Sequence, residues 1–355
     1  MSLTVTILDV AKACNVSKST VSLVINQSSA VKEETRKKVL EAIQRLGYVP
    51  NLAARELQTK RKNLIGVVYL ADGPFEKPNG FEAVTDTLFY DTYSGISAYL
   101  NNSEYGLLNE RFSALNGEEE MPALIKNNRV DGVILIGGLF NAAFIRRIRE
   151  RGLPAVLVGR SVRGLDSIAP HVSQAIYLGT KHLLETGHRR IVFINGPAGM
   201  PIARKKQEGF VQAMMEQGIA VDAKSMRHAD YTGMAGYLAM QDIWESGARP
   251  DAVLAASDGI AVGAMRYLYE QKVRIPDDIS VMGYEQSIIS EHAIPSLTTL
   301  DINKQRMGEE ACKLLMKRIN KPAFKPVNLI LEPSLVLRNS VTRRGTMTGK
   351  DESER

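Results

Sequence analysis

A dense set of hydroxyl groups lies near the N-terminus of this 355-residue chain, in the stretch Ser17–Thr20, together with one ammonium group from Lys18. Apolar residues follow at helical spacing at Val21, Val24 and Ile25. Because Ser17 is a good N-cap, the first helical turn should expose the hydroxyls while the apolar residues face inward. Small polar groups at a helix N-terminus can contact phosphates and base edges in a DNA major groove.

Two further helices are predicted around this stretch. Thr6 can cap a preceding helix, whose apolar residues recur at i, i+3, i+4 and i+7 between positions 7 and 14. The joint Asn15-Val16 is short enough for a helix-turn-helix. An amphipathic helix over 32–46 then ends at Gly47. The pattern predicts an all-α DNA-binding headpiece over residues 1–50.

The positive charge of the chain is concentrated in this segment. The chain has 45 Lys and Arg against 39 Asp and Glu, a net charge of +6. Residues 1–62 hold 11 of the basic and 5 of the acidic residues, which leaves 34 of each for the remainder. An excess confined to one small segment is typical of a polyanion-binding module on a neutral body.

The rest of the chain alternates strand-like and helical segments. The apolar runs of buried-strand type are "NLIGVVYL", "VDGVILIG", "PAVLVG", "RIVFING", "PDAVLAAS" and "DISVMGY". This alternation predicts βα units and parallel sheets, which bind ligands outside the carboxyl ends of their strands. The polar segment "GTMTGKDESER" at 345–355 is predicted to lack fixed structure.

Enzyme signatures are absent from the sequence. There is no GxxxxGK[ST], no GxGxxG after the first strand and no GxSxG, so we predict neither catalytic residues nor a cofactor. His182 and His188 bracket the helix terminator Gly187 and cannot share a helical face as metal ligands. Cys14 and Cys312 lack metal-type spacing and are expected to be free thiols.

Two classes of binding protein remain. A solute-binding protein without DNA function would satisfy the second part of the chain by itself. Such a transport protein would begin with a signal peptide, whereas this sequence begins with a basic helix-turn-helix and has no apolar run of membrane-spanning length. The sequence therefore favours a cytoplasmic DNA-binding regulator with no membrane contact.

Many separate blocks of the sequence carry a family resemblance. They are "TILDVAKACNVSKSTVSLVIN", "VKEETRKKVLEAIQRLGYVPNLAARELQTKRKNLIGVV", "RVDGVILIG", "HLLETGHRRIVFINGP", "EGFVQAM", "ASDGIAVGAMRYLYEQKVRIPDDISVMGYE", "SLTTLDIN" and "LVLRNSV". Together they resemble the lactose-repressor/galactose-repressor (LacI/GalR) family of bacterial transcription regulators over about residues 4–342.

The resemblance implies an α/β protein in which the helix-turn-helix headpiece precedes a periplasmic-binding-protein-like effector domain of two doubly wound parallel-sheet lobes. The implied segments are a headpiece at 1–50, a hinge helix and linker at 51–62, an effector-binding and dimerisation domain at 63–342 and a polar tail at 343–355. The first lobe is expected at about 63–160 and 292–320, and the second at about 162–290 and 323–342. The lobes would be connected by crossovers near 160–162, 290–292 and 320–322.

The resemblance also implies a homodimer bound to a palindromic operator in double-stranded DNA, within the bacterial nucleoid. The implied DNA contacts are Thr6, Ser17, Lys18, Ser19, Thr20, Ser22, Leu23, Asn26, Asn51, Ala54, Arg55 and Leu57. Leu23 stands where the family often has Arg, so one base-edge hydrogen bond is expected to be missing. Leu57 of each hinge would wedge between base pairs in the minor groove.

A small effector is expected between the lobes. The positions that match family contacts are Phe89, Asp91, Arg160, Lys206, Tyr231, Asp258 and Glu285. Aromatic faces with carboxylates and one Arg suit a hydroxylated ligand, and a carbohydrate is the expected class. Lys206 in place of Arg, Glu285 in place of Asp and a loop at about 72–88 that is longer by about ten residues all depart from the family. A nucleoside or a phosphorylated metabolite is the alternative.

Overall fold

The computed structural model describes residues 5–25, 28–48, 61–70, 87–112, 120–137, 140–222, 224–321 and 323–344. The chain divides into two compact units, Met1–Lys62 and Asn63–Arg355. The described part of the first unit is helical, and the second unit combines helices with parallel sheets.

The first unit contains the three predicted helices, which are confirmed as α1 (Ile7–Cys14), α2 (Lys18–Ile25) and α3 (Glu33–Leu46). Their apolar faces form one core that includes Val10, Val21, Val24 and Val39. The Asp9 side chain accepts hydrogen bonds from the backbone nitrogen and the hydroxyl of Thr6, at 2.9 and 2.7 Å, as part of a capping box at the start of α1.

Two of these helices end at a residue in the left-handed backbone conformation. Asn15 ends α1 with φ of 54°, and Gly47 ends α3 with φ of 61°. Glycine adopts this conformation without a Cβ penalty, and asparagine tolerates it better than most residues do. The short turn between α1 and α2 therefore follows from the local sequence.

The second unit begins with a six-stranded parallel sheet in the order β11-β5-β4-β3-β1-β2. Its strands are β1 (Leu64–Leu70), β2 (Gly106–Phe112), β3 (Gly132–Ile136), β4 (Ala155–Val158), β5 (Asp166–Pro170) and β11 (Asn328–Leu331). Its helices are α4 (Thr87–Leu100), α5 (Ala123–Lys126), α6 (Ala142–Glu150) and α12 (Lys304–Asn320).

This sheet is buried on both faces. Alternate residues of β3 belong to two different apolar cores: Ile134 and Ile136 pack in one, and Val133 and Leu135 pack in the other. A strand that is apolar on both faces reads as a continuous apolar run, which is why the sequence predicted these strands.

A four-stranded parallel sheet in the order β7-β6-β8-β9 forms the second lobe. Its strands are β6 (Ile191–Asn195), β7 (Met226–His228), β8 (Ala252–Ala255) and β9 (Ser280–Met282). Its helices are α7 (Val172–Glu185), α8 (Pro201–Glu216), α9 (Gly233–Glu245), α10 (Asp258–Glu270) and α11 (Ile288–His292). A Cβ on Gly263 would lie 1.8 Å from the Gly233 carbonyl oxygen, so glycine permits the close contact of α9 with α10.

The predicted crossover positions need correction. Asp166 pairs with Val156 of β4 and Asn328 pairs with Ser167, so β5 and β11 belong to the first sheet rather than to the second lobe. Two connections between the sheets therefore fall near residue 171 and residues 332–333, about ten residues later than expected. The sequence did not reveal this because no helix separates β4 from β5.

Two short antiparallel strands lie beside connections between the two sheets. Strand β10 (Thr299–Asp301) pairs with β12 (Ser334–Val336). Before this pair, Thr298 forms a parallel bridge with Met282 at the end of β9. The third connection therefore follows residue 301 instead of lying near 290–292. In the described part of the chain, no helix is long and apolar enough to cross a membrane.

Candidate functional sites

The N-terminus of α2 presents linked hydroxyl groups. The Ser17 hydroxyl oxygen accepts a hydrogen bond from the Thr20 backbone nitrogen at 3.0 Å. It also lies 2.7 Å from the Ser19 hydroxyl and 2.8 Å from the Thr20 hydroxyl. Ser17, Lys18 and Ser19 are exposed. Ser17 therefore caps the helix as predicted, and the groups expected to contact DNA are on the surface.

The other predicted headpiece residues differ in exposure. Thr6 is exposed, Thr20 and Ser22 are half-buried, and the Leu23 side chain is 41% exposed. An exposed leucine beside the hydroxyl-rich turn offers an apolar contact in place of a hydrogen bond. The predicted contacts Asn26, Asn51, Ala54, Arg55 and Leu57 lie outside the described residues.

A buried lysine forms the centre of the predicted effector site in the second lobe. Lys206 on α8 is 2% exposed, and its Nζ donates a hydrogen bond to the Ala256 carbonyl oxygen at 2.6 Å. The same Nζ lies 3.8 Å from the ring centroid of Tyr284 and 5.0 Å from that of Tyr231. Ammonium groups are attracted to aromatic faces, so the two rings partly compensate the Lys206 ammonium for the loss of its hydration.

Burial shifts the ionisation of this cluster. Loss of solvent lowers the pKa of Lys206 to about 8, while the charges of Glu285 and Asp258 act in the opposite direction. Burial also raises the pKa values of Tyr231 and Tyr284, with a smaller contribution from the charge of Glu285. Both tyrosines therefore remain neutral, and Lys206 can lose its proton slightly above neutral pH.

Close backbone packing brings these side chains together at the carboxyl ends of the strands. Gly196 directly follows β6, and a Cβ there would lie 2.1 Å from the Tyr231 hydroxyl oxygen. Glu285 follows β9 with φ of 96°, and its backbone nitrogen donates to the Leu300 carbonyl oxygen at 2.7 Å. A positive φ at a glutamate is unfavourable and is held here by its surroundings.

Asp258 has a different environment from the one predicted. Its side chain is fully buried at the start of α10. One carboxylate oxygen accepts from the backbone nitrogen and hydroxyl of Ser287 at 2.6 and 2.8 Å, and the other accepts from the Thr299 hydroxyl at 2.6 Å. These internal donors occupy the carboxylate, which differs from the expectation that Asp258 contacts the effector.

The first lobe supplies a second group of predicted residues. Phe89 on α4 is half-buried, with its ring centroid 4.8 Å from that of Tyr69 and 5.7 Å from that of Tyr93. Asp91 on the same helix forms an ion pair with Lys304 at 2.6 Å. Lys304 is 3% exposed, and nothing in the sequence distinguishes it from an ordinary charged residue in the first turn of α12.

Lys304 connects the two groups electrostatically. Its charge lowers the pKa of Asp258, although burial raises that pKa overall. Arg160, which follows β4, donates a hydrogen bond to the Phe140 carbonyl oxygen, and burial lowers the pKa of this guanidinium. Among the described residues, no group of three His, Cys, Asp or Glu side chains could hold a metal ion.

Two family models match the chain. One is described as bacterial regulatory proteins, lacI family, and matches residues 6–51; the other is a periplasmic binding protein-like domain and matches residues 180–341. The HTH-type transcriptional regulator CelR of Thermobifida fusca is 31% identical over 335 residues, which cover 93% of this chain and 96% of that protein. The chain belongs to the lacI family of bacterial regulatory proteins. It is thus a transcriptional regulator with a helix-turn-helix DNA-binding domain, and neither an enzyme nor a solute-binding protein without DNA function.

Solved structures confirm the predicted fold class for this lacI-family regulator. A lac repressor dimer bound to operator and the anti-inducer ONPF has a TM-score of 0.80 and 27% identity, covering 96% of this chain and all of that chain. A CelR-cellobiose complex has a TM-score of 0.69 and 29% identity, covering 95% and 99%. Both cover the headpiece as well as the two-lobed unit, so the order of domains is shared.

Replacing Lys206 by Met should change how stability depends on pH. The folded pKa of about 8 lies below the ordinary value of 10.5, so the unfolded chain binds more protons between these values. Lys206 therefore destabilises the folded state most below about pH 8, and this penalty disappears as the pH rises to 10.5. Relative to the parent, the free energy of unfolding of Lys206→Met should fall by about 3 kcal/mol across that window.

Urea unfolding at several pH values measures this difference. Lys205→Met is the matched control because Lys205 is the exposed neighbour on α8. The control should show no such pH dependence. A constant difference between Lys206→Met and the parent from about pH 7 to 10 would contradict the buried charge of Lys206.

Proposed function

We propose that the chain is a repressor that binds a palindromic operator and whose operator affinity is controlled by a small effector. The observation that carries this proposal is the exposed turn Ser17–Ser19 at the N-terminus of α2, in a unit that holds the whole basic excess of the chain. A polar helix N-terminus on a basic helix-turn-helix suits the major groove. The attached two-lobed unit supplies the effector site.

The regulator is proposed to act as a homodimer. One small helix-turn-helix contacts too few bases for useful specificity, and a two-fold dimer doubles the contacts on a palindrome. The similar lac repressor structure is a dimer on its operator. Operator binding would place the regulator at the nucleoid.

The hinge is proposed to carry part of the operator contact through Asn51, Ala54, Arg55 and Leu57. A segment as short as 51–59 is marginal as an isolated helix, so its order should depend on a partner hinge and on DNA. Insertion of Leu57 between base pairs would kink the duplex at a cost of a few kcal/mol for each unstacked step. The effector could then act by changing the separation of the hinges.

The effector is proposed to be hydroxylated, with a carbohydrate as the first candidate. Phe89 and Tyr231 offer aromatic faces, while Asp91, Glu285 and Arg160 offer charged hydrogen-bonding groups. Sugar hydroxyls donate and accept hydrogen bonds, which suits this mixture. The similar CelR structure contains cellobiose.

An anionic effector is the second candidate, because the ammonium groups of Lys206 and Lys304 are both buried. A phosphate or carboxylate could pair with either of them. Asp258 is assigned to holding Ser287 and Thr299 in place instead of touching the ligand. Lys304 takes its place among the proposed contacts because it pairs with Asp91.

A thermal-shift screen with sugars, sugar phosphates and nucleosides tests the effector class. A ligand at a hundred times its Kd should raise the unfolding free energy by about 2.7 kcal/mol, which corresponds to a rise in Tm of about 4 °C for a unit of this size. Glu285→Gln should reduce this shift, whereas Glu245→Gln, at the exposed end of α9, should retain it. A shift that is equal in both variants would remove Glu285 from the site.

Leu57→Ala tests operator binding through the hinge. The probe is a palindromic duplex enriched from a random library by the parent chain. We expect the variant to lose the DNA bend in a gel-shift assay and to bind about tenfold or more weakly, because the wedge that opens the kink is gone. Dimerisation and ligand shifts should be unchanged.

Leu8→Ala is the control for this variant, since Leu8 is a 53% exposed leucine of α1. It should bend and bind the duplex like the parent. Equal bending and equal affinity for Leu57→Ala and the parent would show that Leu57 is not the wedge.

A further inference from the structure

Exposed basic residues line the N-terminal edge of the first sheet. The loops that precede its strands lie side by side there, in the order β11, β5, β4, β3, β1 and β2. The loops before the first four of these strands contribute Lys321 and Lys325, then Arg163, Arg151 and Arg129. All five residues are exposed. Since neighbouring strands are about 4.8 Å apart, this set of five residues, here called the basic edge, spans about 15 Å.

Two of the acidic groups near the basic edge are used inside the protein. Asp166 is 1% exposed and pairs with Arg318 at 2.8 Å, and it also accepts from the Val327 backbone nitrogen at 2.8 Å. Asp131 is half-buried and accepts from the Asn63 backbone nitrogen at 2.7 Å. Asp166 and Asp131 therefore hold the loops, and the exposed carboxylates nearby are Glu150, beside Arg151, and Glu104, in the loop before β2.

The Arg318 side chain holds the loop that carries Lys321 and Lys325. The Arg318 guanidinium donates to the Phe324 carbonyl oxygen at 2.6 Å and lies 3.5 Å from the centroid of the Phe324 ring. A groove of about 510 Å³ then runs between Arg163 and Lys325. The two ammonium groups and the guanidinium of Arg163 are thus presented on a supported surface, which lowers the entropic cost of using them.

The chain enters the effector unit beside the basic edge. Strand β1 begins at Leu64, two residues after Lys62, the last residue of the DNA-binding unit. The DNA-binding unit is therefore tethered to this edge by the polypeptide. The effector unit has 34 basic and 34 acidic residues over 63–355, so the basic edge is a local departure from a neutral body.

We propose that the basic edge contacts the phosphate backbone of the DNA held by the headpiece and adds a sequence-independent contribution to affinity. The inference rests on the proposed operator binding. Lys and Arg contacts to phosphates position a protein but carry no sequence information. Each neutralised phosphate releases a counterion and steepens the dependence of affinity on salt by about 0.9 in the logarithmic slope.

The test compares two triple variants of the full chain with equal charge loss. The edge variant carries Arg163→Gln, Lys321→Gln and Lys325→Gln. The control variant carries Lys181→Gln, Lys205→Gln and Lys224→Gln, which replace exposed lysines of the second lobe. The probes are the enriched palindromic duplex and a scrambled duplex of equal length, each titrated at several salt concentrations. Thermal unfolding of both variants verifies that they fold.

The edge variant should bind both duplexes about tenfold more weakly than the control at low salt, and its logarithmic salt slope should be smaller by about 2 to 3 for each protomer in contact with the duplex, or about 5 for the proposed dimer. The ratio of palindrome to scrambled affinity should stay unchanged. Equal affinities and slopes for the two variants would overturn the proposal, as would a loss confined to the palindrome. Failure of the parent to prefer the palindrome would instead overturn the proposed operator binding.

Discussion

The buried carboxylate of Asp258 links, by hydrogen bonds, segments of the second lobe that precede the connection to the first lobe. It follows β8 and accepts hydrogen bonds from Ser287, just before α11, and from Thr299, at the start of β10. Burial of an unpaired carboxylate is costly, and donors at 2.6 to 2.8 Å offset that cost. Because β10 leads into the connection to the first lobe, these hydrogen bonds hold the segment through which the chain leaves the second lobe.

Two buried ammonium groups add to this arrangement from opposite lobes. Lys206 relies on a carbonyl oxygen and two aromatic rings, whereas Lys304 relies on Asp91. A ligand that offers an acceptor to either ammonium would change the balance of charges at the junction of the lobes. Control of a distant site requires that the ligand have different affinities for different lobe arrangements.

Local rules predicted the parts of the structure that depend on neighbouring residues. Ser17 caps α2 and Gly47 ends α3 because these effects act over a few residues. The parallel sheets followed from apolar runs such as "GVILI", which is buried on both faces. The sheet to which β5 belongs could not be predicted, because strand pairing depends on residues that are distant in sequence. The segment "DSIAP" does not itself indicate which strand it pairs with.

The sequence shows which candidate site residues follow strands, but it does not show their hydrogen-bond partners. Asp258 lies in the predicted region, yet its role as an internal acceptor depends on Ser287 and Thr299, which are remote in sequence. Lys304 and Tyr284 were missed for the same reason, since only the fold shows that both are buried beside other charged groups. Long-range contacts therefore decide which of the candidate side chains can reach a ligand.

Regulation by this protein depends on coupling between the proposed effector site and the DNA-binding unit. The most direct measurement is a thermodynamic cycle with a ligand from the thermal-shift screen and the enriched palindromic duplex. Operator affinity is measured with and without saturating ligand, and ligand affinity with and without saturating duplex. Both affinities should change by the same factor, of about 5 to 150, because coupling free energy is reciprocal. A ligand that binds the cleft and leaves operator affinity unchanged would contradict this coupling.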